Sequence, residues 1–323
     1  MMADRVRLGI VGTGRIAQKF VEELCAVPEF DLVAVFNPHL DSAQHFIEIL
    51  PVELGRPAST GSFEELLTMV EALYIASPSE THFDFACRAL KSGIHVLCEK
   101  PLSFDREEIQ QLYAAARECD AVFLHAVKTA FFPAFRLLEE VVSGGMIGEV
   151  VDVEASFTKL MRGCIPELAA DGTGGSMRWL STYPLYAISR FIAGKIEDAS
   201  FFSQYDPRGV EVFTSAFLKF PNASASFKVG FGAKTDGALV ITGTEGYVRV
   251  PAPWWNTSRF EVCYEDPRDV HSVDVPVEGS GLRYEIKAFA TSILGDAAWL
   301  KCVEQDDDLL FADVFNRFTE AML

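Results

Sequence analysis

One short stretch constrains this chain more than any other. Gly12-Thr13-Gly14-Arg15-Ile16-Ala17 follows the apolar run Val6 to Val11. Gly12 permits a tight strand-to-helix turn, Gly14 lets the main chain approach a phosphate, and Ala17 is small enough for a helix to pack on the strand. The free N–H groups and positive dipole end of that helix would face an anionic pyrophosphate. Ile16, Phe20 and Leu24 recur at helical spacing, and a second strand is predicted at Leu32 to Phe36. That strand–helix–strand frame is the context a dinucleotide-binding turn requires. Gly12, Thr13, Gly14, Arg15 and Ile16 are therefore expected to meet the cofactor.

A second segment lies some eighty residues on. The apolar run Ile94 to Cys98 ends in Glu99-Lys100-Pro101. Open α/β sheets bind ligands at the carboxyl ends of their strands, so this run puts an ammonium group where a nicotinamide ring would lie. Between the two segments, apolar runs alternate with helical patterns near 15–26, 41–48, 62–69, 80–91 and 105–118. The other strands of this half are predicted at Ala72–Ala76 and Ala121–Leu124. Continuous apolar strands separated by helices read as a parallel sheet covered on both faces. Ser62 with Glu65, and Asp105 with Glu108, supply helix caps.

After Pro133 the texture changes. A helix at 134–142 leads into half-buried strands near 148–160, 198–205, 211–220, 224–231, 238–242, 246–250, 259–264 and 271–277, split by Gly, Pro and Asn turns. Helices near 283–294 and 307–322 finish the chain. The expected architecture is α/β: a doubly wound Rossmann domain over 1–125, then an α+β domain over 126–323 with a large open, mostly antiparallel sheet. Burying that sheet against another subunit would give a homodimer or homotetramer.

Several function classes are disfavoured. The formal net charge of −18 argues against nucleic acid or an anionic membrane as a partner. Seven scattered cysteines (Cys25, Cys87, Cys98, Cys119, Cys164, Cys263, Cys302) lack any C-x-x-C pair, which suggests reduced thiols in the cytoplasm. The first strand begins almost at once, so no signal peptide is expected. No apolar run reaches the length of a membrane span. The six histidines show no metal-ligand spacing, so no metal is expected. Asp306-Asp307-Asp308 reads as a solvated helix start.

The ordered set GTGRIA at 12–17, SPSETH at 77–82, HVLCEKP at 95–101, GGMIGEV at 144–150 and GGSMRWLSTYPL at 174–185 resembles the Gfo/Idh/MocA family of NAD(P)-dependent oxidoreductases. The likeness runs nearly the whole length. It implies hydride transfer between a nicotinamide and a carbinol or carbonyl of a sugar, cyclitol or vicinal diol. In that pattern Lys100 lies beside the nicotinamide, holds the substrate oxygen and relays its proton, with its pKa lowered by desolvation from about 10.4. Glu99 contacts the nicotinamide ribose or steers Lys100, and Ser77, Pro78 and His82 line the cofactor.

The family's acidic position falls on Trp179 here, and its acid/base position on Tyr183. Tyrosine is normal in the branch resembling dimeric dihydrodiol and aldose dehydrogenases, but Trp179 is not. A lysine and a phenol suffice for proton exchange, while the aromatic wall at Trp179 favours a less polar or aromatic-bearing substrate. Lys128 is a further group that could meet a substrate oxygen. Asn37 stands where Asp would select NAD and a nearby Arg would favour NADP. It brings neither charge, and the reading leans to NAD. The competing expectation, kept open by Trp179, is a cofactor-binding sensor or regulatory protein without turnover.

Overall fold

The computed structural model describes residues 5–163 and 165–322. Cys164 lies outside the described residues. In chain order the elements are β1 (Val6–Val11), α1 (Arg15–Leu24), β2 (Phe30–Phe36), α2 (Leu40–Glu48), β3 (Ala58–Thr60), α3 (Phe63–Met69), β4 (Ala72–Ile75), α4 (His82–Lys91), β5 (His95–Glu99), α5 (Arg106–Glu118), β6 (Phe123–Ala126), α6 (Pro133–Ser143), β7 (Val150–Thr158), α7 (Ser176–Leu180), α8 (Thr182–Phe191), β8 (Asp198–Tyr205), β9 (Glu211–Lys219), β10 (Ser224–Gly230), β11 (Leu239–Gly243), β12 (Tyr247–Val250), β13 (Arg259–Cys263), β14 (Val270–Asp274), α9 (Leu282–Ile293) and α10 (Gln305–Ala321). They form two compact units, 1–131 with 278–305, and 132–277 with 306–323.

The first unit holds a six-stranded, wholly parallel sheet in the order β3-β2-β1-β4-β5-β6. Ala72, Leu73, Tyr74 and Ile75 of β4 are all fully buried, as a strand covered on both faces requires. Helix α1 buries Ala17, Phe20, Val21 and Leu24, the stripe its spacing predicts. Ser62 accepts from the Glu65 amide, and Asp105 from those of Glu107 and Glu108, so both expected caps form. Strand order reverses between β1 and β4, which opens a crevice at their carboxyl ends. Strand β3 was not foreseen, because three residues carry no readable period.

The division of the chain differs from the sequence expectation of 1–125 and 126–323. It falls after Phe131, and 278–305 rejoins the first unit. The cause is α9, which buries Leu282, Ile286 and Phe289 and packs on α1. Phe289 meets the Phe30 ring at 5.6 Å, Arg283 Nε reaches Glu23 at 2.6 Å, and Lys287 pairs with Glu29. A segment distant in sequence thus seals the nucleotide-binding layer.

The second unit holds an eight-stranded sheet in the order β14-β13-β12-β11-β7-β10-β9-β8, antiparallel except where β10 runs with β7. Helices α7 and α8 pack on one of its faces. Neither is among the helices predicted from the sequence, and glycine and proline are the weakest helix formers. Pro184 instead sits in the first turn of α8, where no helical N–H bond is forfeited. The acidic start of α10 is a correction. Asp307 and Asp308 are buried rather than solvated, and Asp307 accepts from Ser189 at 2.6 Å and from Arg190 at 3.3 Å. Among the described residues no helix is long and apolar enough to cross a membrane, and no His/Cys/Asp/Glu group could hold a metal.

Candidate active site

The β1–α1 turn is built for close approach. Gly12 has φ +98°, and a Cβ there would lie 2.6 Å from the Ala76 carbonyl oxygen. No other residue fits that turn without moving main chain. At Gly14 a Cβ would meet nothing within 4 Å, so the surface is open there. Gly14 is the N-cap of α1, and no side chain caps the helix. The first-turn N–H groups of a helix lack intrahelical acceptors by geometry, and here no N-cap side chain covers them. This arrangement fits a dinucleotide pyrophosphate, which would be held by the amides of 14–17. Arg15 and Ile16 begin the helix, with Arg15 exposed.

At the end of β2, Asn37 Nδ2 donates to Thr13 Oγ1 at 2.8 Å, and its Oδ1 accepts from the His39 amide at 2.9 Å. The side chain thereby ties the glycine turn to the loop where an adenosine ribose would rest. After β4, the Ser77 hydroxyl accepts from Thr81 at 2.7 Å and Pro78 is exposed. His82 is buried. Its Nδ1 lies 2.8 Å from the Pro101 carbonyl and its Nε2 lies 2.9 Å from that of Ser77. Burial lowers its pKa against the opposing pull of the two carbonyls; the ring lies between the β4 and β5 loops, donating to one carbonyl when neutral and to both only when protonated.

Strand β5 delivers Glu99 and Lys100 to the carboxyl edge of the sheet. Glu99 is buried, and its Oε1 accepts from the Tyr74 hydroxyl at 2.7 Å while Oε2 accepts from the Lys100 amide at 3.2 Å. Burial pushes the Glu99 carboxyl up, against the opposing pull of Tyr74 and Lys100. Burial also pushes the Tyr74 hydroxyl well above its ordinary value, helped by the negative field of Glu99. Lys128 opens the turn that follows β6, half-buried; burial lowers its pKa while Glu285 and Glu99 oppose the fall.

Gly12 to Ile16, Asn37, Ser77, Pro78, His82, Glu99, Lys100 and Lys128 thus all belong to the first unit. Trp179 and Tyr183 belong to the second. Tyr183 is buried in the first turn of α8, its ring edge-on to Phe157 of β7 at 5.3 Å, and Phe157 stacks on Trp255 at 4.0 Å. Trp179 in α7 is half-buried, and its indole N–H donates to the Thr173 carbonyl at 3.0 Å.

Two polar residues of the first unit escaped the sequence reading. Tyr74 interrupts an apolar strand, and Glu285 occupies the buried stripe of α9 beside Leu282, Ile286 and Phe289. A polar group on an apolar stripe is a legible signal of a buried partner.

Residues 6–126 match the sequence model described as an oxidoreductase family with an NAD-binding Rossmann fold, and 135–249 match that of the GFO/IDH/MocA C-terminal domain. The chain belongs to the GFO/IDH/MocA oxidoreductase family. It is an NAD(P)-dependent oxidoreductase of that family. The trans-1,2-dihydrobenzene-1,2-diol dehydrogenase of Sus scrofa is 30% identical over 329 residues, covering 98% of this chain and 97% of that protein. An uncharacterized oxidoreductase of Rhizobium meliloti, ORF334, is 34% identical over 224 residues, 68% of this chain and 66% of that protein. A 3-ketoreductase from Actinomadura kijaniata, solved with TDP-benzene and NADP, shares the fold with a TM-score of 0.78 at 23% identity, over 97% of this chain and 96% of that one. These matches lend no support to the alternative of a sensor without turnover.

Proposed function

We propose that the protein is a dehydrogenase or reductase of a small sugar, cyclitol or vicinal diol, with Lys100 and Tyr183 as its acid–base groups. One observation carries the reading. The open, uncapped α1 N-terminus and the Glu99-Lys100 pair occupy the carboxyl edge of one parallel sheet on either side of its switch point. When bound, the nicotinamide supplies the hydride acceptor or donor. Gly12 to Ile16 hold the dinucleotide, with Asn37, Ser77, Pro78, His82 and Glu99 shaping its seat. Lys100 holds the substrate oxygen and exchanges its proton, and Glu99 fixes the main chain from which Lys100 projects.

Tyr183 is proposed as the second proton-exchanging group because the family's acid/base position falls on it. Lys128 is proposed to meet a substrate oxygen. Trp179 presents an aromatic side chain where the family resemblance implies an acid, which supports a less polar or aromatic-bearing diol. The Sus scrofa relative, named for a dihydrobenzene diol, agrees with that class. Asn37 offers no cation for a 2′-phosphate, which favours NAD over NADP. The six described cysteines form no disulfide with one another, in keeping with the proposed cytoplasmic setting. Phe202, 67% exposed, and Phe217, 54% exposed, share a face of the sheet with Tyr247, and that face is proposed to pair in a homodimer or homotetramer.

The test is a titration with NADH and NADPH, followed by a screen of polyols and dihydrodiols at the reduced-nicotinamide absorbance. Lys100→Ala and Tyr183→Phe are each expected to lower kcat by about a hundredfold or more while cofactor affinity stays within about threefold. Full turnover by Lys100→Ala overturns the assignment.

A further inference from the structure

We propose that Glu285 is a positioning residue of the cofactor-binding unit: a carboxylic acid that keeps its proton at neutral pH, so that Lys128 has one negative neighbour fewer. The inference rests on the reading of Lys128 as a substrate contact. Its structural part stands apart from that reading.

Glu285 lies on the buried stripe of α9 and is completely inaccessible to solvent. Among the described residues neither of its carboxyl oxygens has a hydrogen-bond partner. Glu99 is the opposite case, since its two oxygens accept from the Tyr74 hydroxyl and the Lys100 amide. Hydrogen bonds to an ionised carboxylate favour it, and burial without them disfavours it. Of two acids close enough to repel each other, the one without donors therefore holds the proton. Burial, then the field of Glu99, pushes the Glu285 carboxyl well above the usual carboxylate range, with only Lys128 opposing.

Other charges around α9 are already committed. From α1, Glu23 is engaged by Arg283 and by the Ser280 amide, and Lys19 acts on Lys128 rather than on Glu285. From the loop before β2, Glu29 is taken by Lys287. In the 297–301 turn Lys301 is exposed, and the Asp296 side chain before it caps the Ala298 amide. The turn beginning at Lys128 packs against α9. Two ionised acids beside Lys128 would hold its ammonium inward. With one of the two acids neutral, the inward pull on that ammonium is weaker and its charge can act on a substrate oxygen.

The experiment compares wild type with Glu285→Gln, an isostere of the protonated form. The infrared difference spectrum of the cofactor-free protein at about pH 7.5 is expected to show a protonated-carboxyl C=O absorption present in wild type and lost in the variant. Loss of a carboxylate band in its place overturns the proposal. Should the variant fail to fold, carbon-13 NMR of carboxyl-labelled wild-type protein reads the same state. One glutamate is expected to remain protonated at about pH 7.5, and ionisation of every glutamate by that pH refutes the idea.

The positioning role is read from kinetics. At alkaline pH wild-type Glu285 ionises and helps hold the Lys128 proton, so Glu285→Gln is expected to move the alkaline limb of kcat/KM to lower pH by about one unit. In a Lys128→Met background the same substitution is expected to leave that limb in place. A shift of equal size in both backgrounds, or none in either, refutes the role. If Lys128→Met alone leaves KM unchanged while the protonated carboxyl is found, the reading of Lys128 has failed and the state of Glu285 has not.

Discussion

Tyr74→Phe removes one oxygen and almost nothing else. The ring stacks on Phe20 with centroids 3.7 Å apart and planes 8° from parallel, a contact that phenylalanine keeps. What disappears is the donor to Glu99 Oε1 at 2.7 Å, between a fully buried phenol and a buried carboxyl. A hydrogen bond to a charged group contributes about 1.5–3 kcal/mol, and the truncation leaves a buried acceptor without its donor. A loss near about 2 kcal/mol would lower Tm by about 4–8 °C for a domain of this size.

The pH dependence gives the test its sign. Burial, the largest influence, holds the folded-state pKa of Glu99 above its unfolded value, so folding favours the protonated acid and its contribution to stability declines as pH rises between those values. Without the Tyr74 donor the folded value climbs further. The deficit of the variant should open across that interval and be complete above it. Urea unfolding at about pH 5 and about pH 8 compares a lower with a higher pH, with the larger loss expected at the higher. A loss below about 0.5 kcal/mol at pH 8, or a greater loss at pH 5, would refute the view that Glu99 is a buried carboxylate sustained by Tyr74.

Two further outcomes follow from the packing. Gly12→Ala sets a Cβ 2.6 Å from a main-chain oxygen at a positive φ, so it should weaken NADH or NADPH binding by about tenfold or more, read by fluorescence titration, with the strain costing about 1–3 kcal/mol. Arg190→Met leaves Glu139 and buried Asp307 without their shared cation, which reaches them at 2.7 and 3.3 Å, and should destabilise the second unit by about 3–5 kcal/mol by denaturant melting.

Much of this was legible because the signals were local. The glycine turn, the apolar strands β1, β4 and β5 and the capped helix starts at Ser62 and Asp105 each depend on residues within one turn or strand of one another. The alternation of Val151, Val153 and Ala155 likewise announced β7, a half-buried strand. What escaped depends on distance in sequence. Nothing near residue 285 says that α9 will return to seal the layer of α1, since that contact couples positions more than 250 apart. Asp307 looked solvated because Arg190, its partner, is over a hundred residues away. His82 was expected to face a ligand, and only the fold reveals that Pro101 and Ser77 occupy both its nitrogens.

The same long-range closure explains why a buried acid can persist in α9. Replacing Glu285 by an apolar residue would spare the helix an unpartnered carboxyl, and stability alone favours that exchange. Arg283 and Lys287 already anchor α9 through Glu23 and Glu29, so Glu285 is not needed to dock the helix. Its neighbours are instead Glu99, Lys128 and the Tyr74 hydroxyl, the groups at the ligand-binding edge of the sheet. A stabilising Glu285→Leu that also altered the pH dependence of turnover would separate the two pressures. Folding tolerates this carboxyl, and the chemistry at the carboxyl end of β5 is what makes use of it.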